Sequence, residues 1–343
     1  MSIATEITRL NNAKSAIKSA IEAKGVEVPQ DAKIDIYADY IAQISQGGGT
    51  EYEPICFTSL EDGNTFSLNK RISISVDGKK TWQTLAANTS SPVINTGEKI
   101  YFKATKNATA FEGTTDNYYQ FTTAKTCNVS GHPYSLYVKF SSYFFGNLFK
   151  GTKIVDASGL DLSEDIRAGG CYQSMFLYCT SLTVPPELPS IVLTYSCYKN
   201  MFSGCTSLVT APELPATKLA TACYDYMFDG CTSLVTAPKV LPATTLEPSC
   251  YTNMFNGCTS LVTAPELPAT KLIRYCYKSM FYGCSSLNYI KALFTTTPST
   301  TYTVNWVTGV AATGTFVKNR KATWTTTGDN GIPLGWTVVN DNA

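Results

Sequence analysis

The chain has 343 residues, of which 44% are hydrophobic, so it can fill more than one hydrophobic core. Only 15% of the residues are charged and the formal net charge is +1, whereas an average globular protein has roughly 25% charged residues. This composition excludes a strongly basic surface for nucleic acid or an anionic membrane. The single histidine, His132, leaves almost no room for catalysis or zinc binding that needs several histidines.

The N-terminal residues show no positively charged head followed by an apolar stretch, and no run of about 18 apolar residues occurs in the chain. A secretory signal needs such a charged head and apolar stretch, and a membrane-spanning helix needs such an apolar run. We therefore expect synthesis and folding in the cytosol, without membrane insertion. The 12 cysteines should then stay reduced, which favours structural thiols or metal ligands over disulfides.

Residues 1 to 46 show helical periodicity. Apolar residues recur at helical spacing along the first half of this segment, at Ile3, Ile7, Leu10, Ile17 and Ile21. Gly25 can end this helix and Asp31 can begin a second one. A hairpin of this size buries too little surface to be stable alone. We therefore expect its apolar stripe to mediate oligomerisation or attachment to a larger assembly.

Residues 51 to 140 show the two-residue alternation of half-buried strands. Ile72, Ile74 and Val76 alternate with polar residues, and Asp-Gly pairs mark turns between the strand segments. The number and spacing of these segments predict a small Ig-like β-sandwich, which we interpret as a spacer.

A phrase of the form C-Y-x-x-M-F-x-x-C-[TS]-S-L begins at residues 171, 197, 223, 250 and 276, in steps of 26, 26, 27 and 26 residues. Such a period indicates a solenoid. The related phrase FGNLFKGTKI lacks cysteine and precedes the first copy. We interpret it as the N-terminal cap of a solenoid that spans residues 143 to 290, because terminal repeats need a cap.

Each repeat is predicted to contain a strand, a proline loop and a short helix. Cys197, Tyr198, Met201 and Phe202 share one side of a helical wheel. Gly204 can end that helix, a strand follows in CTSLVTA, and the prolines of PELP prevent either structure from continuing.

The two cysteines of each repeat are separated by seven residues, whereas zinc sites commonly space theirs by about two to four. Their strict recurrence favours a buried ladder of free thiols, although stacked copies could also come close enough for a disulfide. We expect no metal and no cofactor. The predicted ladder consists of Cys171, Cys179, Cys197, Cys205, Cys223, Cys231, Cys250, Cys258, Cys276 and Cys284.

The stretch MFSGCTSLVTAPELPATKLATACYDYMF resembles the bacterial surface leucine-rich repeats of the BspA-like type. The resemblance covers about residues 143 to 290 and implies a right-handed β-α solenoid that is used for adhesion. The segment ITRLNNAKSAIKSAIEAKGV is similar to N-terminal segments of phage tail and fibre proteins. The sequence from GTFVKN to GIPLGWTV resembles a closing module found with such proteins. Together these resemblances imply a virion protein of a phage that infects gut anaerobes.

Residues 291 to 343 are rich in Thr, Val and Trp. An open strand edge at the end of a solenoid invites aggregation. We therefore predict a C-terminal capping β-segment in which Trp306, Trp324 and Trp336 cover the last repeat. Together the segments predict a multidomain α+β chain.

The leading hypothesis is a non-enzymatic head or tail fibre protein. Its N-terminus would join other virion proteins or sister chains, and its repeats would contact a glycan or protein of the host surface. A bacterial surface adhesin is the alternative, but it would need an export signal. A capsule-degrading hydrolase is a further alternative, since it needs two nearby carboxylates. Stacking would align Glu187, Glu213 and Glu266, with Lys239 at the equivalent place in the 27-residue repeat.

If the solenoid binds a ligand, the outward positions that vary between repeats are the candidates. We select Tyr226, Asp229, Asn256, Lys278 and Tyr282. The two tyrosines could stack on the faces of sugars. The alternative is that all five are ordinary surface residues.

Overall fold

A computed structural model describes residues 14–20, 22, 52–104, 119–136, 145–163 and 169–341. Within the predicted helical hairpin, residues 14 to 20 and 22 are helical, and Lys18 Nζ lies 3.7 Å from Glu22 Oε1. Ile17 of the predicted stripe is 38% exposed. The hairpin is not confirmed, because the second helix and the other stripe residues lie outside the described residues: Ile3, Ile7, Leu10 and Ile21.

The N-terminal β-rich part forms one large sheet and one small sheet. Its strands are β1 Ile55–Ser59, β2 Phe66–Leu68, β3 Ile72–Ser75, β4 Gln83–Leu85, β5 Lys99–Lys103, β6 Phe121–Thr123, β7 Cys127–Gly131 and β8 Ile154–Leu160. The large sheet has the order β4-β3-β5-β1-β7-β8, and β2 pairs with β6 in the small sheet. A short 3-10 helix, Pro133–Leu136, follows β7. We call the part from β1 to β7 the β-domain.

An Ig-like sandwich is not confirmed, because the second layer of the β-domain is only the two three-residue strands β2 and β6. The core between the layers is aromatic, with Phe57 stacked on Phe66 at 4.9 Å and edge-on to Phe102 at 5.7 Å between ring centroids. Phe149 belongs to the first coil, or superhelical turn, of the solenoid and completes this core. Its ring centroid lies 5.8 Å from that of Phe121. The β-domain and the solenoid therefore share one hydrophobic core.

The backbone is continuous between the two parts as well. Strand β8 pairs in parallel with β7 on one side, and its Asp156 forms a parallel bridge to Val184 on the other. The β-domain thus covers the first coil of the solenoid, since the edge strand that would otherwise be open is paired.

The described part of the chain is mostly β-structure with few helices, which differs from the predicted α+β class. The predicted solenoid is present and has about eight superhelical turns, which we call coils. Equivalent residues of successive coils form parallel bridges, as Thr210 does with Thr236, Thr236 with Thr263, and Thr263 with Tyr289. The ladder continues into a parallel sheet of β9 Tyr289–Ala292, β10 Thr315–Lys318 and β11 Thr337–Asn340.

The predicted short helix of each repeat is wrong, because these residues form a ribbon of consecutive turns. Met201 N donates to Tyr198 O within the coil at 3.2 Å, whereas Tyr198 N donates to Cys223 O of the next coil at 3.0 Å. The two kinds of bond alternate along residues 196 to 205. Every fourth residue, Ser196, Asn200 and Gly204, has positive φ, which interrupts a right-handed helix. We call residues 196 to 205 and their equivalents the turn ribbon.

Each ribbon directs two neighbouring residues inward and the next two outward, so the interior is a set of stacked columns. Ring centroids of successive tyrosines are 5.7 to 5.9 Å apart, in the column Tyr172, Tyr198, Tyr224, Tyr251 and Tyr277. Those of successive phenylalanines are 5.3 to 5.8 Å apart, in the column Phe149, Phe176, Phe202, Phe228, Phe255 and Phe281. All of these rings are 0 or 1% exposed.

The C-terminal segment continues the coils. Residues 301 to 309 form one more turn ribbon, in which Trp306 O accepts from Phe281 N at 2.8 Å. Trp306, Trp324 and Trp336 are 0%, 4% and 7% exposed. Their indole N–H groups donate to the carbonyl oxygens of Gly331, Phe294 and Ala311 respectively. Such pairing is needed for indoles buried at the end of the stack.

Candidate functional site

The outward side of the turn ribbons is the candidate site, and we call it the ribbon face. Because alternate backbone N–H groups bond to the next coil, equivalent residues form columns along the solenoid with the roughly 4.8 Å spacing of paired strands. One column contains Lys199, Asp225, Thr252 and Lys278, and another contains Ser203, Asp229, Asn256 and Tyr282. Between them lies the column of Asn200, Tyr226, Asn253 and Ser279.

All five residues selected from the sequence lie on the ribbon face. Asp229, Asn256 and Tyr282 occupy successive coils of one column. Tyr226 lies in the same coil as Asp229, and Lys278 in the same coil as Tyr282. Tyr282 is 44% exposed, whereas Tyr226, Asp229 and Asn256 are partly buried. The residues therefore form one surface that covers three neighbouring coils.

The centre of the ribbon face holds a buried charge. Asp225 is 6% exposed, and its Oδ2 lies 3.0 Å from Lys199 Nζ of the preceding coil. Its Oδ1 is buried and has no hydrogen-bond partner among the described residues. Burial raises the pKa of the Asp225 carboxyl, and the hydrogen bond and charge of Lys199 offset part of this rise.

Asp229 lies next to this charge. Burial raises the pKa of the Asp229 carboxyl, the hydrogen bond from Ser203 lowers it, and the nearby Asp225 carboxylate raises it again. Ser203 Oγ lies 3.5 Å from Asp229 Oδ2. The ribbon face thus has a partly desolvated acidic centre, with Lys199 on the preceding coil and Lys278 two coils further along.

An exposed tyrosine that was not selected from the sequence lies at one end of the ribbon face. Tyr178 is 58% exposed and has a φ of 60°. It occupies the column in which the following repeats have Gly204, Gly230, Gly257 and Gly283. A comparison of the repeats could have found it, because FLYC has tyrosine where FSGC and FDGC have glycine.

The ten cysteines of the repeats are buried and free. The thiol of the second cysteine in each repeat donates to a phenylalanine carbonyl of the preceding coil. Cys205 Sγ donates to Phe176 O at 3.2 Å, and Cys231 Sγ donates to Phe202 O at 3.0 Å. Burial raises the pKa of these thiols, to about 11 for Cys179 and about 12 for Cys284. They are therefore protonated donors that connect adjacent coils.

The aligned glutamates lie elsewhere on the solenoid. Glu187 and Glu213 both line a shallow groove between proline loops, with a volume of about 330 Å³. Glu266 Oε1 instead lies 3.2 Å from Lys291 Nζ. Within the described part of the chain, no group of three His, Cys, Asp or Glu side chains is arranged to hold a metal ion.

No helix among the described residues combines the length and apolar character needed to cross a membrane. Comparison of the chain with family models, with curated proteins and with solved structures finds no match.

Proposed function

We propose that the protein is a non-enzymatic structural and adhesive component of a phage virion. Its N-terminal segment attaches it to the particle or to sister chains, and its ribbon face contacts a glycan or protein of the host surface. The N-terminal and C-terminal resemblances to phage fibre proteins support the virion assignment.

One observation carries the adhesive role. The inward positions of the ribbons repeat Cys, Tyr, Met and Phe in coil after coil, whereas the outward columns change from Lys to Asp, Thr and Lys, and from Ser to Asp, Asn and Tyr. A rigid, uniform framework with a variable surface suits recognition, because the surface can change without loss of packing. Tyrosine rings can also pack on the faces of sugars, and carboxylate and amide groups can form hydrogen bonds with sugar hydroxyls.

Binding of the purified full chain to host cells tests the adhesive role. Tyr282→Ala and Asp229→Asn should each weaken binding about tenfold if their contacts contribute about 1.4 kcal/mol. Lys239→Ala, an exposed change in a proline loop, is the matched control. Equal binding by all of these variants would contradict the assignment of the ribbon face.

Two further measurements separate the alternatives. Peptide mass spectrometry of purified virions should detect the chain, and its absence there would favour a bacterial surface adhesin. Incubation with host capsule should release no reducing ends. Release that is lost in Glu187→Gln or Glu213→Gln would favour a hydrolase.

A further inference from the structure

A cleft of about 600 Å³ opens where the β-domain meets β8 and the residues after it, outside the ribbon face. It lies on the outer side of the large sheet, where β1, β5, β7 and β8 meet. Two glycines form part of its floor: a Cβ on Gly131 would lie 2.1 Å from Pro54 O, and one on Gly159 would lie 2.6 Å from Ser130 Cβ. The strands can approach closely only without these side chains, so backbone lines the floor.

The charges in the cleft are balanced. Its lining includes the cations Lys79 and Lys99 and the carboxylates Glu53 and Asp161. Lys79 Nζ donates to Glu53 Oε2 at 2.9 Å, and this hydrogen bond raises the pKa of Lys79. A hydrogen bond from Ser163 lowers the pKa of Asp161. The lining therefore presents charged donors and acceptors side by side, without an excess of either sign.

Aromatic rings border the same cleft. Tyr101 is half-buried in the wall and has Lys79 Nζ 5.6 Å from its ring centroid. Tyr52 packs on His132 with their ring centroids 4.3 Å apart. Rings beside polar groups offer a flat apolar surface next to hydrogen-bonding groups.

From this combination we propose that the cleft binds a neutral saccharide unit. Its volume is within the range of small-molecule sites, about 300 to 1,000 Å³. Adjacent hydroxyls of a pyranose each donate and accept, so one can accept from Lys79 while its neighbour donates to Glu53. The C–H face of the ring would lie on Tyr101.

The balanced charge selects against other ligands. A phosphate or an acidic sugar would face the carboxylates of Glu53 and Asp161, and a cationic peptide would face Lys79 and Lys99. An ion of either sign therefore meets like charges as well as opposite ones and gains no net electrostatic attraction, whereas a neutral ligand brings no like charges together. The inference does not rest on the proposed adhesive function, because the cleft and the ribbon face share no residue.

Saturation-transfer NMR on the full chain tests the proposal, with maltotriose, chitotriose and lactose as neutral probes and glucuronic acid as the acidic probe. Glu53 and Lys79 have side chains 73% and 40% exposed, so Glu53→Gln and Lys79→Met should fold normally, which circular dichroism checks. We expect at least one neutral probe to bind at millimolar concentration. Each variant should weaken that binding about tenfold, as expected for loss of one charge-assisted hydrogen bond.

Lys239→Met, on the solenoid, is the control and should bind as the unchanged chain does. The proposal is overturned if no neutral probe binds, if only glucuronic acid binds, or if both cleft variants bind the neutral probe unchanged. Cleft variants should still bind host cells through the ribbon face. Failure of the saccharide assay is therefore distinct from failure of the adhesive proposal.

Discussion

Two glycines in one column of the solenoid offer a matched test of how the ribbon packs. Gly204 and Gly230 have nearly equal φ values of 72° and 70°. An alanine Cβ at position 230 would meet nothing closer than Gly204 Cα at 4.0 Å, whereas one at position 204 would lie 2.3 Å from Tyr178 Cδ1. Both changes place alanine in the left-handed region, but only Gly204→Ala must displace a ring.

The difference in cost follows from the contact of Tyr178. Left-handed backbone costs an L-residue about 1 to 2 kcal/mol, so Gly230→Ala should lower the free energy of unfolding by about this amount. Tyr178 is 58% exposed, so about two fifths of its surface is covered. An aromatic side chain has roughly 200 Å² to bury, and at about 25 cal/mol per Å² complete loss of the contact costs up to about 2 kcal/mol. We expect Gly204→Ala to be the more destabilising change by about 1 kcal/mol or more.

Equilibrium urea unfolding, followed by circular dichroism, measures both variants. In the background of Tyr178→Ala the ring is absent, so the cost of Gly204→Ala should fall to that of Gly230→Ala. Equal costs for the two glycine changes in the unchanged chain would refute this packing. So would a cost of Gly204→Ala that Tyr178→Ala leaves unaltered.

Four further predictions concern the thiols, the buried carboxylate and the N-terminus. Cys231→Ala should lower the free energy of unfolding by about 2 kcal/mol, from a lost hydrogen bond and a small cavity; urea unfolding would contradict this with a change near zero. Iodoacetamide should label none of the buried thiols of the native chain within minutes and all of them in urea, as mass spectrometry can show; labelling of the native solenoid would disprove their burial. Burial raises the pKa of the Asp225 carboxyl in the folded chain above its value in the unfolded chain. The folded state is therefore favoured at a pH below the ordinary aspartate pKa, where the carboxyl is protonated, and this stabilisation is lost as pH rises through the folded-state pKa. The difference in melting temperature between Asp225→Asn and the unchanged chain should thus favour the variant more at pH 7 than at pH 4. A difference that favours the variant more at pH 4 would count against a buried charge at Asp225. Deletion of residues 1 to 46 should leave a folded monomer that no longer joins its assembly, and an unchanged oligomer size in light scattering would refute the attachment role.

The helix prediction failed because a segment of nine residues is too short to distinguish an apolar repeat of four residues from the 3.6-residue period of an α-helix. In a helix, Cys197 and Met201 differ by only about 40° around the axis, so the same apolar positions fit either structure. Asn200 and Gly204 were the missed signal, since both residue types tolerate positive φ and stand four residues apart. Tyr226 and Tyr275 also have positive φ, which no propensity would have predicted.

The outward position of the candidate residues could be predicted from the sequence, whereas their surroundings could not. Variation between aligned repeats was enough to select Tyr226, Asp229, Asn256, Lys278 and Tyr282, and the structure places them on one face. The desolvation of Asp225 could not be predicted, because it depends on Lys199 in the neighbouring coil and on how deeply both side chains pack. The cleft could not be predicted either, since it is formed by four strands that are distant in the sequence.

By itself, the sequence determined the 26-residue period, the inward position of the Cys, Tyr, Met and Phe residues and the presence of a stacked solenoid. These properties depend on which residues are apolar and how often they recur. Only the tertiary structure decided that the ribbon is made of turns and that the β-domain shares its core with the first coil. The turn structure of the ribbon and the shared core both depend on which backbone groups form hydrogen bonds with each other. For Tyr198 N that partner is Cys223 O, one coil away, and local spacing does not reveal whether a backbone N–H bonds within its own segment or to the next coil.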